Sequence, residues 1–149
     1  MGHYLRYITT DSRPITLATL THALQQMDAA YTVYLSDIDV NSGDLYHMEW
    51  LLGVLEINSQ GEEIFEEDIA DLKELVEFSN NVSVLETLNQ AKAIIAVEAI
   101  WQGNNSEATL RKLDALWDWL FANYDGLLQV DNEGFYDQDN LIFELDLKI

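Results

Sequence analysis

Cysteine is the most informative absence in this chain of 149 residues. Without a thiol the protein forms no disulfide, offers no thiolate ligand to zinc or an iron–sulfur cluster, and has no cysteine nucleophile. Basic residues are scarce as well, with 7 Lys and Arg against 27 Asp and Glu, a formal net charge of −20. Because such a field repels phosphate backbones and anionic lipids, the composition argues against direct binding of nucleic acid or of a membrane.

Long apolar runs are also lacking. The start, MGHYLRYITTD, has no apolar segment of secretory-signal length, and no stretch approaches the roughly 20 residues of a membrane-spanning helix. We therefore expect a cytoplasmic protein. Pro14 is the only proline and no Gly/Ser-rich linker interrupts the chain, so residues 1–149 are predicted to form a single acidic domain.

Material for a hydrophobic core is plentiful, since 48% of the residues are hydrophobic and 11% are aromatic. The aromatic and β-branched run HYLRYITT predicts a first strand. A helix is predicted next, with Thr16 as its N-cap and an apolar stripe at helical spacing, formed by Leu17, Leu20, Leu24 and Met27.

The middle of the chain predicts a hairpin followed by an acidic helix. YTVYL is typical of a strand, NSGD of a turn, and the segment Leu45–Ile57 of a second extended region. The inner stripe predicted for the following helix consists of Phe65, Ile69, Leu72 and Val76. Its opposite face carries Glu63, Glu66, Glu67, Asp71, Glu74 and Glu77.

The last third of the chain predicts two further helices and a terminal strand pair. Ser83 is expected to cap a short helix over VLETLNQ, and the apolar run AKAIIAVEAIW predicts a central strand. The third long helix is expected to end at Asp125 and Gly126. Its inward residues are Leu110, Leu113, Leu116, Trp117, Leu120 and Tyr124. LLQVDNEGFYD and LIFELDL then indicate two antiparallel strands with a turn at residues 132–134.

This order of elements predicts an α+β fold with helices packed on an antiparallel or mixed sheet. The first six long elements match the β-α-β-β-α-β order of a ferredoxin-like unit, extended by a further α-β-β. Because this architecture supports many unrelated activities, function must be inferred from a site.

One segment is reminiscent of a calcium-binding loop, with oxygen ligands at Asp37, Asp39, Asn41 and Asp44. The match is imperfect, because Gly43 and Glu49 each fall one residue later than an EF-hand requires. The favoured interpretation is a hairpin that displays the acids while Ile38 and Val40 point inward. We therefore predict no metal here.

Motifs for catalysis are missing. His3, His22 and His47 lie on different predicted elements without an HExxH pattern, and His22 is expected to be solvated. His47 and Glu49 are expected on one strand face, a pairing too common to indicate a catalytic dyad. The sequence has no GxSxG elbow, no GxxxxGK[ST] loop and no GxGxxG turn. No catalytic residue and no cofactor is predicted.

A binding surface remains, and the third long helix suggests an aromatic anchor because its apolar arc extends to Trp119. We predict a non-enzymatic protein-binding or regulatory domain that docks a basic protein, or forms a homodimer, through Glu63, Glu66, Glu67, Asp71, Glu74 and Trp119. In size and acidity the chain is similar to bacterial immunity proteins that neutralise basic toxins. Two alternative functions are a small-molecule enzyme with an unrecognised carboxylate site and a mimic of nucleic acid. A third interpretation of the acidic surface is that it serves solubility alone.

Overall fold

The computed structural model describes residues 3–77, 81–101, 106–138 and 140–144. The strands are β1 (His3–Thr9), β2 (Tyr31–Leu35), β3 (Ser42–His47), β4 (Trp50–Ser59), β5 (Ala93–Ala99), β6 (Gly126–Val130), β7 (Gly134–Asp137) and β8 (Asn140–Glu144). The helices are α1 (Leu17–Met27), α2 (Glu63–Val76), α3 (Val82–Gln90) and α4 (Ser106–Asn123). The predicted α+β class is confirmed.

The strands of the described ranges form one eight-stranded sheet in the order β2-β3-β4-β5-β1-β6-β7-β8. Every neighbouring pair in this order is antiparallel. The ferredoxin-like start is not confirmed, because three strands rather than two separate α1 from α2 and the sheet is larger than such a unit. The apolar run Ala93–Ala99 is an inner strand, as predicted, since β5 lies between β4 and β1.

The additional strand arises from a turn that the sequence pattern does not signal. The region Leu45–Ile57, predicted as one extended segment, reverses direction after His47, which pairs with Trp50 across the turn. Met48 takes a left-handed conformation with φ of 56°. Gly or Asn usually occupies such a position, so the sequence shows no turn residue where the chain turns.

Helices cover both faces of the sheet. One core joins α1 and α4 to the strands through residues that include Leu5, Tyr7, Leu55, Val97 and Leu128. Their sequence neighbours point the other way, because successive strand side chains alternate between faces. The second core therefore joins α2 and α3 to Ile8, Ile94, Ala96, Leu127 and Phe135. No helix within the described part of the chain is long and apolar enough to cross a membrane.

The helix stripes are buried largely as predicted, except that Met27 at the end of α1 is 49% exposed. Two helix ends also differ from the prediction. Thr16 caps α1 by accepting a hydrogen bond from the Thr19 amide at 3.1 Å. Asn81, not Ser83, caps α3, because its side chain accepts from the Val84 amide. Gly126 does not end α4 but opens β6, where a Cβ would lie 2.3 Å from the Ile8 carbonyl oxygen. Close strand packing explains this glycine.

Candidate functional site

The exposed side of α2 carries carboxylates along the length of the helix. Its buried stripe consists of Phe65, Ile69, Leu72 and Val76, as predicted. The remaining surface, here called the α2 acidic face, displays the exposed residues Glu63, Glu66, Glu67, Asp71 and Glu74. Lys73 is the only base on the helix. The Glu66 carboxylate accepts a hydrogen bond from the Gly61 amide at 3.0 Å, which suits the positive N-terminal end of a helix.

A second set of polar groups lies beside α2 on the sheet. β1 contributes Arg6, which pairs with Ala96 of β5 and with Gln129 of β6, while Glu56 of β4 pairs with the other side of Ala96. We call the whole set the Arg6 cluster: Tyr4, Arg6, Glu56, Asp68, Glu98, Gln129 and Asp131. Sequence reasoning missed this cluster because its members lie on four strands, a helix and the turn after β6, and strand pairing rather than sequence spacing brings them together.

Arg6 holds the cluster together through several contacts. Its Nη1 donates to Gln129 Oε1 at 2.8 Å and to Asp131 Oδ1 at 3.0 Å. Its guanidinium lies 4.7 Å from the centre of the Tyr4 ring. Nε is buried and lacks a hydrogen-bond partner among the described atoms, with the Asp68 carboxylate 3.8 Å away. The pair with Asp68 is therefore a loose ion pair, whereas the pair with Asp131 is a hydrogen-bonded one.

Carboxylates outnumber the positive charge here, and the pKa of Asp68 reflects this. Burial raises the pKa of Asp68 above its ordinary value, and Arg6 opposes the shift without cancelling it. The negative charges of Asp71, Glu56 and Glu67 raise the pKa of Asp68 further. Because Glu67 and Asp71 belong to the α2 acidic face, that face and the Arg6 cluster interact electrostatically.

Trp119 lies on the other side of the sheet from α2. It packs against the core that α1 and α4 share, and its ring lies 5.8 Å from that of Tyr124. A groove of about 570 Å³ runs beside it, lined by α1 residues that include His22 and Met27. Trp119 is therefore not an aromatic anchor within the α2 acidic face, and any partner contact that it makes belongs to a different surface.

His47 joins three elements. Its Nε2 lies 2.9 Å from Asp28 Oδ2, and its Nδ1 lies 3.5 Å from the Lys112 ammonium. The hydrogen bond from His47 lowers the pKa of Asp28. Glu49 follows the end of β3 in a turn, so it does not share a strand face with His47 as expected. These contacts link the α1–β2 connection, β3 and α4.

The segment with the calcium-like spacing is a loop between β2 and β3. The Ser36 hydroxyl accepts hydrogen bonds from the amides of Ile38 and Asp39, and the Asp39 carboxylate accepts one from the Asn41 amide. The prediction that Ile38 and Val40 point inward is wrong, because they are 97% and 80% exposed. The described residues contain no group of three or more His, Asp or Glu side chains able to hold a metal ion.

Two adjoining grooves lie between α4 and strands β6 and β7. The larger measures about 490 Å³, and both are lined by Asp114, Trp117, Leu128 and Gln138. Asp68, the carboxyl group whose pKa burial raises, does not line these grooves or the two beside α1. No protein-family model, curated protein or solved structure matches this chain. Function must therefore be inferred from the surface itself.

Proposed function

We propose that this chain is a non-enzymatic protein-binding or regulatory domain that docks a basic partner on the α2 acidic face. The observation that carries the proposal is the crowding of negative charge between this face and the Arg6 cluster. Burial is the main cause of the raised pKa of Asp68, and the negative charges of Asp71, Glu56 and Glu67 raise it further while Arg6 opposes the shift. Lysine or arginine side chains of a partner would relieve this repulsion.

Apolar contacts are available on the same surface. Ile64 and Leu75 are 50% and 55% exposed, and at 100° per residue they lie almost directly above one another on α2. Asp71 falls between them on that side of the helix. Interfaces combine apolar anchors with a charged rim, so this arrangement suits a partner that presents apolar side chains among its basic residues.

The two alternative functions have less support. An enzyme site would place a carboxyl group of raised pKa in a ligand-sized cleft, whereas Asp68 does not line the grooves beside α1 and α4. A mimic of nucleic acid is a special case of the proposal, in which the basic partner is itself a DNA-binding protein. Competition by duplex DNA for the captured partner distinguishes that case.

The test compares capture from native cell extract by two charge-matched variants. The first neutralises the α2 acidic face: Glu63→Gln, Glu66→Gln, Glu67→Gln, Asp71→Asn and Glu74→Gln. The control neutralises the same number of exposed carboxylates elsewhere: Glu49→Gln, Asp118→Asn, Asp125→Asn, Asp137→Asn and Glu144→Gln. Both variants have the same net charge, so a difference between them reports on position rather than on total charge.

The expected result is a basic protein that the wild type and the control retain at low salt and the α2 variant releases. With exposed ion pairs contributing a few tenths of a kcal/mol each, affinity for that purified protein should fall about tenfold or more, and its salt dependence should flatten. Equal loss from both variants would mean that the interaction depends only on net charge. Equal retention would contradict the proposal.

A further inference from the structure

The outer edge of β2 presents unused main-chain hydrogen-bonding groups. The Ser36 amide donates to the Ser42 carbonyl, and the Met48 amide donates to the Ala30 carbonyl. In an antiparallel pair such residues alternate with residues whose N–H and C=O groups point away from the partner strand. Val33 and Leu35 therefore direct these groups away from β3, to the side where β2 has no neighbouring strand within the described ranges.

At the start of this edge, the main-chain groups of Tyr31 already form hydrogen bonds within the protein. The Tyr31 amide donates to the Asp28 carbonyl at 3.2 Å, and the Tyr31 carbonyl accepts from Gln25 Nε2 at 3.1 Å. Both bonds show that the main-chain N–H and C=O groups of the odd-numbered β2 residues point away from β3. The open stretch thus begins after Tyr31 and offers the main-chain groups of Val33 and Leu35 to an incoming strand.

A groove of about 540 Å³ follows the same edge. Thr21, His22 and Gln25 of α1 form one wall, and Val33 and Leu35 form the other. Leu35 is 61% exposed, so its side chain is free to contact a ligand. A strand at this edge would place alternate side chains in the groove, beside the α1 wall.

Negative charge stands at the end of this groove. Val40 and Asn41 of the β2–β3 loop also line the groove, and the same loop carries Asp37 and Asp39. Both carboxylates are exposed, and within the described part of the chain neither forms an ion pair. The groove therefore combines an unpaired strand edge, the apolar side chains of Val33 and Leu35, and a neighbouring acidic loop.

We propose that an extended segment of a basic protein binds here by adding a strand to β2. Its main chain pairs with Val33 and Leu35, its alternate apolar side chains fill the groove beside α1, and its lysine or arginine side chains face Asp37 and Asp39. A second copy of this chain fits less well, because it would bring its own net charge of −20 to the acidic loop. This site uses none of the residues of the α2 acidic face.

The probe is the fluorescein-labelled peptide Lys-Val-Lys-Val-Lys-Val-Lys, with binding followed by anisotropy and by amide NMR of the full chain. Two control peptides test the two parts of the recognition. One carries N-methyl groups on the valines, which remove main-chain donors and keep the charge. The other replaces every lysine by glutamate. We expect the parent peptide to bind, both controls to fail, and hydrogen exchange at the Val33 and Leu35 amides to slow.

A matched pair of protein variants isolates the main-chain contact. Leu35→Ala and Leu35→Pro both remove the apolar side chain, but only the proline removes the outward N–H, a change that edge strands tolerate. We expect Leu35→Pro to bind the peptide about fivefold more weakly than Leu35→Ala, the effect of one hydrogen bond. If Leu35→Pro fails to fold, binding of the N-methylated peptide and hydrogen exchange at the wild-type Val33 and Leu35 amides still test the main-chain contact.

Three results would overturn the proposal. The first is absence of peptide binding. The second is equal binding of the N-methylated peptide with NMR shifts confined to α2, which would show simple charge attraction to the α2 acidic face. The third is a wild-type dimer in analytical ultracentrifugation that Leu35→Pro abolishes, which would make a second copy the occupant of the edge.

Discussion

The two faces of the sheet differ in what their helices leave uncovered. On one face α1 and α4, of 11 and 18 residues, bury an apolar surface that extends from β2 to β6. On the other face α2 and α3, of 14 and 9 residues, leave part of the sheet beside α2 to polar and charged side chains of the Arg6 cluster. The first face supplies most of the core, and the second supplies the charged surface.

Buried polar groups differ in charge between the two faces. On the α1/α4 face the Tyr31 hydroxyl donates to the Lys112 carbonyl at 2.5 Å, and Trp50 Nε1 donates to the buried Thr109 hydroxyl at 3.1 Å. On the α2/α3 face Arg6 Nε is buried without a hydrogen bond in the described structure, and Asp68 has a raised pKa. Trp117 Nε1 on the α1/α4 face is also buried without a hydrogen bond in the described structure, so the two faces differ in charge rather than in hydrogen bonding. The unpaired donor of the α2/α3 face belongs to a guanidinium beside a carboxyl group of raised pKa.

The largest effect should follow from opening a cavity in the α1/α4 core. Leu120 on α4 is fully buried, so Leu120→Ala should lower the free energy of unfolding by about 2–5 kcal/mol. Leu75→Ala on α2 is the control, because that side chain is exposed and its loss should cost well under about 1 kcal/mol. Urea unfolding followed by circular dichroism measures both. Similar costs for the two variants would contradict the assignment of the main core to this face.

A smaller loss is expected when the cation of the α2/α3 face is removed. Arg6→Met would remove the Arg6 hydrogen bonds to Gln129 Oε1 and to Asp131, which keeps its bonds from the Tyr4 amide and Gln129 Nε2, and should cost about 1–3 kcal/mol. Arg111→Met removes an arginine from the exposed i,i+4 pair with Glu107, so it should cost no more than about 0.5 kcal/mol. If Arg6→Met lowers the free energy of unfolding no more than Arg111→Met does, the contacts of Arg6 in the cluster do not stabilise the fold.

The predictability of the fold depends on whether a feature is local. The stripe Phe65 to Val76 and the Thr16 cap follow from spacing within one helix, and both are found. The reversal at Met48 is not signalled, because tertiary pairing of β3 with β4 imposes a left-handed residue that local preference disfavours. The need for glycine at position 126 is also not a local feature, because it arises from close packing against Ile8, more than a hundred positions away in the chain.

The candidate site was predictable only in its helical half. The α2 acidic face follows from helical period alone, because a buried stripe fixes which residues are exposed. The Arg6 cluster depends on the register of β4, β5, β1 and β6, which alternation within any one strand does not reveal. The open edge of β2 likewise follows from strand order, and the loop acids Asp37 and Asp39 acquire their interpretation only from that position.

The pH dependence of Asp68 sharpens the contrast further. Its folded pKa lies above the ordinary value of 3.8, so ionisation costs the folded state stability as pH rises through that pKa. Asp68→Asn should therefore raise the free energy of unfolding at neutral pH, and this gain should vanish below about 3.8, where the unfolded carboxyl is protonated as well. A variant that is less stable than the wild type at neutral pH would show that the ion pair with Arg6 outweighs burial.

The smallest effect, with the opposite sign, is expected at Asp11 near the end of α4. Hydrogen bonds from the Arg13 side chain and amide lower the pKa of Asp11 to about 2, and the Arg13 guanidinium also lies 4.6 Å from the centre of the Tyr124 ring. The stability that this pair contributes is complete above the ordinary pKa of 3.8 and is lost as pH falls towards 2.

Carboxyl NMR titration should give Asp11 a pKa well below that of Asp68. Arg13→Gln should return the pKa of Asp11 towards 3.8 and leave the pKa of Asp68 unchanged. Both aspartates lie near an arginine, so an equal pKa for the two would mean that proximity to a cation alone governs them. The expected separation instead assigns the difference to the hydrogen bonds that Asp11 accepts from Arg13 and to the burial and neighbouring carboxylates that raise the pKa of Asp68.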